Sequence, residues 1–140
     1  MTYNYNEVTY HLSAGAAIVV FRKKDNTVRV MLCTACMRML DKIVDNAGYV
    51  EMKLAGFDKR CSFSNKNIAA VDLIIEEPRQ FNCERIISIE LLGWIDTKEK
   101  LDDAVVRYKE IEERWKDFDS LTETQQAMFV DSFVRKDIAK

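Results

Sequence analysis

The chain has 140 residues, a formal net charge of −2 and an apolar share of 48%. This length and composition predict one globular domain that buries a core without needing disulfides or a structural metal. The near-neutral charge excludes a protein that coats nucleic acid through charge alone. No apolar run is long enough to cross a bilayer, and the amino terminus lacks a secretory signal. We therefore expect a cytoplasmic protein whose four cysteines are thiols.

The amino-terminal residues 3–13 are ambiguous between a strand and a short helix. We favour the helix, with Asn6 as its cap and Gly15 as its stop. Residues 16–34 carry a clearer signal, because aliphatic side chains occupy both halves and a polar run separates them. This pattern predicts a β-hairpin that turns at Asp25-Asn26, since Asn tolerates the positive φ of a tight turn.

The middle of the chain predicts one helix and several short strands. Apolar residues at helical spacing follow Cys36, and Gly48 is a plausible end for that helix. Residues 49–54 alternate weakly like a strand, and residues 57–67 have the composition of a loop. Residues 68–75 and 85–92 are rich in β-branched residues and predict two further strands. Pro78 places a turn at residues 76–79, because proline does not fit a central strand.

The carboxy-terminal residues 96–140 predict a helical hairpin. Apolar residues in 98–118 recur at spacings of three and four, which forms a heptad seam. Ser120 and Glu123 form a capping box that begins a second helix. Four residues of this second helix are predicted to face inward: Met128, Val130, Phe133 and Val134.

Two blocks of this sequence resemble a known family. They are residues 15–34, GAAIVVFRKKDNTVRVMLCT, and residues 79–90, RQFNCERIISIE. Both are similar to the WYL-like, SH3-type β-barrel proteins of tailed bacteriophages, and similar spacing extends the resemblance over residues 12–92. Pro78 replaces the Trp that is usual in the family, Asn26 replaces its turn glycine, and no Trp-Tyr-Leu triplet occurs.

The resemblance implies a barrel domain in residues 1–95. The expected fold class is therefore α+β, a small SH3-like β-barrel with the C-terminal helical hairpin, residues 96–140, packed on the barrel or on a partner. The family name also implies ligand sensing or nucleic-acid contact through pocket arginines. By residue-wise match, Arg79 and Arg85 inherit such a role, with Phe81 as a packing or stacking partner.

The residues themselves, independently of the resemblance, indicate two candidate binding surfaces. Cations crowd the predicted hairpin tip, where they either contact phosphates or protect an exposed strand edge from pairing, and the near-neutral net charge favours the second interpretation. These cations are Arg22, Lys23, Lys24 and Arg29. The heptad seam either packs on the chain's own barrel or binds a partner, including a second copy. Its residues are Leu101, Tyr108, Ile111, Trp115 and Phe118.

The remaining motifs favour a chain without catalysis or metal. Cys33 and Cys36 have the spacing of half a zinc site that Cys61 and Cys83 could complete, but the second close pair is missing. Buried thiols explain these cysteines better, so we predict no metal and no cofactor. The single histidine, His11, lies in the amino-terminal segment, and no glycine-rich phosphate loop is present. We therefore predict a protein that is not an enzyme.

These observations predict a non-enzymatic phage accessory or regulatory factor in the host cytoplasm. It would bind a host or phage macromolecule, in transcription or DNA metabolism, without membrane contact. The alternative is a nucleic-acid- or nucleotide-binding barrel that uses Arg79, Arg85 and the hairpin-tip cations.

Overall fold

The computed structural model describes residues 3–138, with side chains described up to Phe133. Within these residues the chain forms an α+β fold of five helices and five strands. The helices are α1 (Tyr5–Ala14), α2 (Met37–Ile43), α3 (Ala47–Asp58), α4 (Lys98–Trp115) and α5 (Glu123–Ile138). The strands are β1 (Ala16–Arg22), β2 (Val28–Thr34), β3 (Asn67–Asp72), β4 (Glu77–Asn82) and β5 (Ile86–Gly93). None of the helices in the described part of the chain is long and apolar enough to cross a bilayer.

The five strands form one antiparallel sheet in the order β4-β3-β2-β1-β5. The described sheet is not closed into a barrel, because β4 and β5 lie at opposite ends of it and do not pair, so the predicted SH3-like barrel is not confirmed. A 3-10 turn, Cys83–Arg85, carries the chain from β4 to β5, and β5 then pairs with β1. Helices α1 and α5 pack against β5, so helices cover the strand that would have closed a barrel.

Strand β1 is buried on both faces and lies near the centre of the sheet. Alternate residues enter two apolar clusters, as β-strand geometry requires. Ala16, Ile18 and Val20 join the cluster that includes residues of α2, α3, α4 and α5. Ala17, Val19 and Phe21 join the cluster beneath α1. The hairpin predicted from this stretch is confirmed, with β1 and β2 paired from Ala16 to Arg22 and Asn26 at a φ of 71°.

The favoured helix at the amino terminus is also confirmed, although it begins earlier than expected. Asn4, rather than Asn6, caps α1 by accepting a hydrogen bond from the Glu7 amide. The helix ends before Gly15, whose amide donates to the His11 carbonyl. Capping by Asn4 satisfies one of the free amides at the start of the helix.

Two predictions in the middle of the chain are wrong. Residues 49–54 belong to helix α3 rather than a strand, and Gly48 lies inside that helix rather than ending α2, which ends at Ile43. The alternation was misleading because the buried residues of α3 are Val50 and Leu54, one helical turn apart.

Of the predicted turn at residues 76–79, only Glu76 lies in a turn, and residues 77–79 belong to strand β4. Pro78 is tolerated because β4 is an edge strand, and an edge residue can lack a ladder donor without cost. The actual turn precedes it, where the Asp72 carboxylate accepts a hydrogen bond from the Ile74 amide.

Helices α4 and α5 both pack on the sheet. Helix α4 lies against β2, and its Arg107 makes a bidentate ion pair with Glu90 of β5, with both N–O distances at 2.7 Å. Trp115 contacts Phe129 and Phe133 of α5 edge to face, which joins the two helices at one end.

The prediction for the start and inner face of the second helix is corrected in part. Thr122 and Gln125 form the reciprocal capping pair, two residues after the predicted start. Phe133 is buried and Val130 is half-buried, but Met128 is 69% exposed. The side chain of Val134 lies outside the described residues.

A glycine contact between the start of β1 and the end of β5 offers a test of the fold. A Cβ atom added at Gly15 would lie 2.6 Å from the carbonyl carbon of Gly93, which is closer than Cβ atoms come to other heavy atoms in real structures. We expect Gly15→Ala to lower the free energy of unfolding by about 1–3 kcal/mol, measured by urea denaturation. The control is Gly48→Ala in α3, where the added methyl meets no atom within 4 Å. It should raise stability by up to about 1 kcal/mol, and an equal effect of both changes would contradict the contact.

Candidate functional site

A cleft of about 250 Å³ lies beside the tip of the β1–β2 hairpin, and we call it the hairpin cleft. Six of the residues that line it are cationic, and none of the described residues lining it is Asp or Glu. The six cations are Arg22, Lys23, Lys24, Arg29, Arg79 and Arg85. Together with Phe81, these are the seven binding residues predicted from the sequence, so the fold brings all of them to one place.

The cleft forms where the β1–β2 hairpin meets strand β4 and the 3-10 turn that follows it. The hairpin supplies Arg22, Lys23, Lys24 and Arg29, strand β4 supplies Arg79, and the 3-10 turn supplies Arg85. The rings of Phe21 and Phe81 stack with centroids 5.1 Å apart and hold β1 and β4 together. Because Phe81 is only 4% exposed, its role is packing rather than stacking on a ligand.

Arg85 fixes the hairpin tip. Its Nε donates to the carbonyl of Arg22 at 3.2 Å, and its Nη2 donates to the carbonyl of Lys23 at 2.9 Å. The same Nη2 lies 3.3 Å from the side-chain oxygen of Asn26, the residue with positive φ. One guanidinium therefore spans the turn and binds both of its sides.

Arg22 is fixed from the other side of the hairpin. Its Nη1 donates to the Asn26 carbonyl at 3.1 Å, and its Nη2 donates to Gln126 of α5 at 3.3 Å. Its guanidinium carbon lies 5.3 Å from the centre of the Phe118 ring, within cation–π range. Arg22 is thus held by the helical part of the fold.

The other four cations differ in how far they are neutralised. Arg29 pairs with the buried carboxylate of Asp72 at 2.9 Å, and Arg79 makes a longer, exposed contact of 3.4 Å with Glu77. Lys23 and Lys24 make no side-chain hydrogen bond or close ion pair with any described residue. The nearby Asp25 is engaged by Thr27, whose hydrogen bonds lower the pKa of that carboxyl. Two ammonium groups are therefore available to an anion.

Three amides complete the polar lining of the cleft. They are Asn67, Gln80 and Asn82. Sequence reasoning did not identify them, because Gln80 and Asn82 lie in the strand β4 that was predicted in part as a turn. Amide groups donate and accept hydrogen bonds, so they can bind a phosphate or a neighbouring polar group.

A second cleft, of about 340 Å³, shares a wall with the first, and we call it the helix cleft. Arg79 lines both clefts. Helix α3 and the turn after it supply Lys53, Phe57 and Arg60. These residues were missed because residues 49–54 were predicted as a strand and residues 57–67 as a loop. Their spacings of four and three residues were the available helical signal.

The predicted partner seam is used inside the chain. Ile111, Trp115 and Phe118 are buried in the cluster that contains β1, and Leu101 and Tyr108 are half-buried against it. The heptad spacing therefore reflects packing of α4 on the sheet. An apolar stripe of this width can pack either on the face of a sheet or on a second helix. The structure leaves this seam covered by the chain itself.

The cysteines do not converge. Cys33 and Cys83 lie in the cluster beneath α1, whereas Cys36 lies in the cluster on the other face of the sheet. Cys61 is half-buried, and its sulfur accepts a hydrogen bond from Gln80 at 3.2 Å. No group of three or more His, Cys, Asp or Glu residues in the described part of the chain could hold a metal ion. Burial raises the pKa of the Cys33 thiol far above its usual range, as expected for a core residue.

Comparison with protein-family models, with curated proteins and with solved structures found no match to this chain.

The hydrogen bonds of Arg85 predict that it holds the hairpin tip in place. Arg85→Ala should lower the free energy of unfolding by about 1 kcal/mol. It should also speed hydrogen exchange at the amides of Lys23 and Asn26, which are hydrogen-bonded across the turn. Arg85→Lys should not restore protection, because an ammonium cannot make the forked contacts of a guanidinium. Arg38→Ala, at an exposed arginine of α2, is the control, and equal exchange in both Ala variants would contradict the assignment.

Proposed function

We propose that this chain is a non-enzymatic accessory protein that binds nucleic acid through the phosphate backbone in the hairpin cleft. The observation that carries the proposal is the lining of that cleft, to which six cationic residues contribute and no acidic one among the described residues. Cationic side chains and amides are the groups that proteins use to contact phosphate oxygens. The cleft therefore favours a polyanion over a neutral or cationic ligand.

The charge distribution supports a local site rather than a basic coat. The chain as a whole carries a net charge of −2, so six cations around one cleft are a strong local departure. Several acidic residues of α4 are engaged elsewhere, as in the contacts of Glu110 with Arg107 and Glu113 with Lys116. A localised cationic cleft on a weakly acidic protein attracts a polyanion to one place and keeps the rest of the surface from binding it.

The fixed arginines support the proposal in a second way. Arg22 and Arg85 are held by hydrogen bonds to backbone and side-chain oxygens, so the cations are placed before a ligand arrives. Such preorganisation reduces the ordering cost of binding. The free lysines Lys23 and Lys24 can then contact phosphates without first breaking an ion pair.

This proposal keeps the accessory role predicted from the sequence and makes nucleic acid the favoured macromolecule. Contacts to phosphate position a protein on nucleic acid but carry no base sequence. The proposed role is therefore that of a factor acting in transcription or DNA metabolism whose hairpin cleft does not recognise the base sequence. A phage origin and the resemblance to WYL-like proteins remain predictions, as does a protein partner.

The lysines of the hairpin tip provide the direct test. Lys23→Glu with Lys24→Glu should weaken nucleic-acid binding and reduce the slope of log affinity against log salt by about two units. Fluorescence anisotropy with a labelled oligonucleotide over a range of salt concentrations measures both quantities. Stability should change by only about 0.5 kcal/mol, since both side chains are exposed.

The matched control is Lys42→Glu with Lys109→Glu. Both lysines are exposed, neither lines the hairpin cleft, and the pair changes net charge by the same amount. Equal loss of binding in the two double variants would mean that the affinity depends only on the net charge of the protein. Unchanged binding in the variant with Lys23→Glu and Lys24→Glu would assign these two lysines to protection of the strand edge.

A further inference from the structure

One face of helix α3 alternates aromatic and cationic side chains. Lys53 places its ammonium 4.5 Å from the centre of the Tyr49 ring, and Arg60 places its guanidinium 5.1 Å from the centre of the Phe57 ring. Residues at spacings of four, four and three lie along one side of a helix and its end. We call this set, Tyr49, Lys53, Phe57 and Arg60, the α3 stripe.

The α3 stripe continues from the hairpin cleft. Three of its members line the helix cleft, and the shared wall between the two clefts is Arg79. The side chain of Arg79 is 37% exposed, so a ligand can reach it from either side. Cationic residues therefore line both clefts, and Arg79 is common to the two.

Resting on the proposed function, we infer that the ligand is a single-stranded nucleic acid whose backbone runs from the hairpin cleft through Arg79 and whose bases stack on the α3 stripe. Only an unpaired base can lay its face on a protein ring, because the bases of a duplex are stacked on each other. Tyr49 is 57% exposed, and because the ammonium of Lys53 lies over one face of its ring, a base would stack on the other face. Cationic grooves with interspersed aromatic rings are the common means of binding single strands without sequence preference.

The neighbouring carboxylate gives the path a specific electrostatic feature. Glu77 lines the helix cleft and contacts Arg79 at 3.4 Å. A strand passing over Arg79 must lie close to this negative charge. The path therefore predicts that removing the charge of Glu77 strengthens binding, whereas a Glu77 that served only the fold would give no gain.

The experiment compares two labelled ligands on the full chain by fluorescence anisotropy. One is an oligothymidylate of about 16 nucleotides, the upper end of the usual single-strand site size, and the other is a duplex of the same length. The single strand should bind more tightly than the duplex. Tyr49→Ala should weaken binding of the single strand roughly 5- to 150-fold, the range that corresponds to the loss of one stacked base, and should leave duplex binding unchanged.

Three variants make the outcome specific. Tyr49→Phe keeps the ring and should keep the affinity. Tyr10→Ala removes an equally exposed tyrosine on α1, outside both clefts, and should have no effect. Glu77→Gln should tighten binding of the single strand and steepen its salt dependence.

Failure of this inference and failure of the proposed function give different results. If single strand and duplex bind equally and Tyr49→Ala changes neither, the α3 stripe is not in the path. If Lys23→Glu with Lys24→Glu still weakens binding in that case, the hairpin cleft remains a phosphate site. If the lysine variants bind like the unmodified chain, the proposed function itself is overturned and the inference falls with it.

Discussion

The burial of strand β1 on both faces is the constraint on which the rest of the structure depends. Each face of this strand needs its own apolar cover, because a six-residue run of buried side chains alternates between two sides of one sheet. Helix α1 supplies the cover on one side, and the other four helices contribute to the cluster on the other. The helical carboxy-terminal part therefore completes the core of the sheet, and its heptad pattern results from that packing.

The same constraint places the candidate site. The apolar run of β1 ends at Phe21, and the chain becomes cationic at the next residue. Phe21 must pack under the sheet, where it meets Phe81 of β4, and this contact draws the edge strand towards the hairpin. The cations that follow Phe21 and those that flank Phe81 consequently line one cleft. The position of the site follows from core packing, and its chemistry follows from the residues at the limits of the core.

The sequence allowed some of this to be predicted, and the reasons for the remainder are physical. The hairpin was predictable because β1 and β2 contain nearly continuous apolar runs around a polar turn. The seven candidate binding residues, which line one cleft, came from the tip of this hairpin and from the block at residues 79–90. Strand β4 was missed because Pro78 is excluded from central strands but not from edges, and the sequence does not state which strand is at the edge. Helix α3 was missed because its exposed face carries the large apolar residues Tyr49 and Met52. Apolar residues therefore do not mark only the buried face of this helix, and the helical spacing of its buried residues is hidden.

The cost of gathering six cations in one cleft explains why arginines and lysines have different positions there. Like charges repel, and the repulsion opposes folding unless each charge finds an oxygen or reaches water. Arg22 and Arg85 direct their protons to carbonyl oxygens of the hairpin, and Arg29 to the carboxylate of Asp72, so these guanidiniums stabilise the fold that concentrates them. Lys23 and Lys24, at the solvent end, are exposed and make no close ion pair with any described residue. In the proposed contact, a phosphate would meet two cations whose neighbours are already fixed, and its binding would relieve this repulsion.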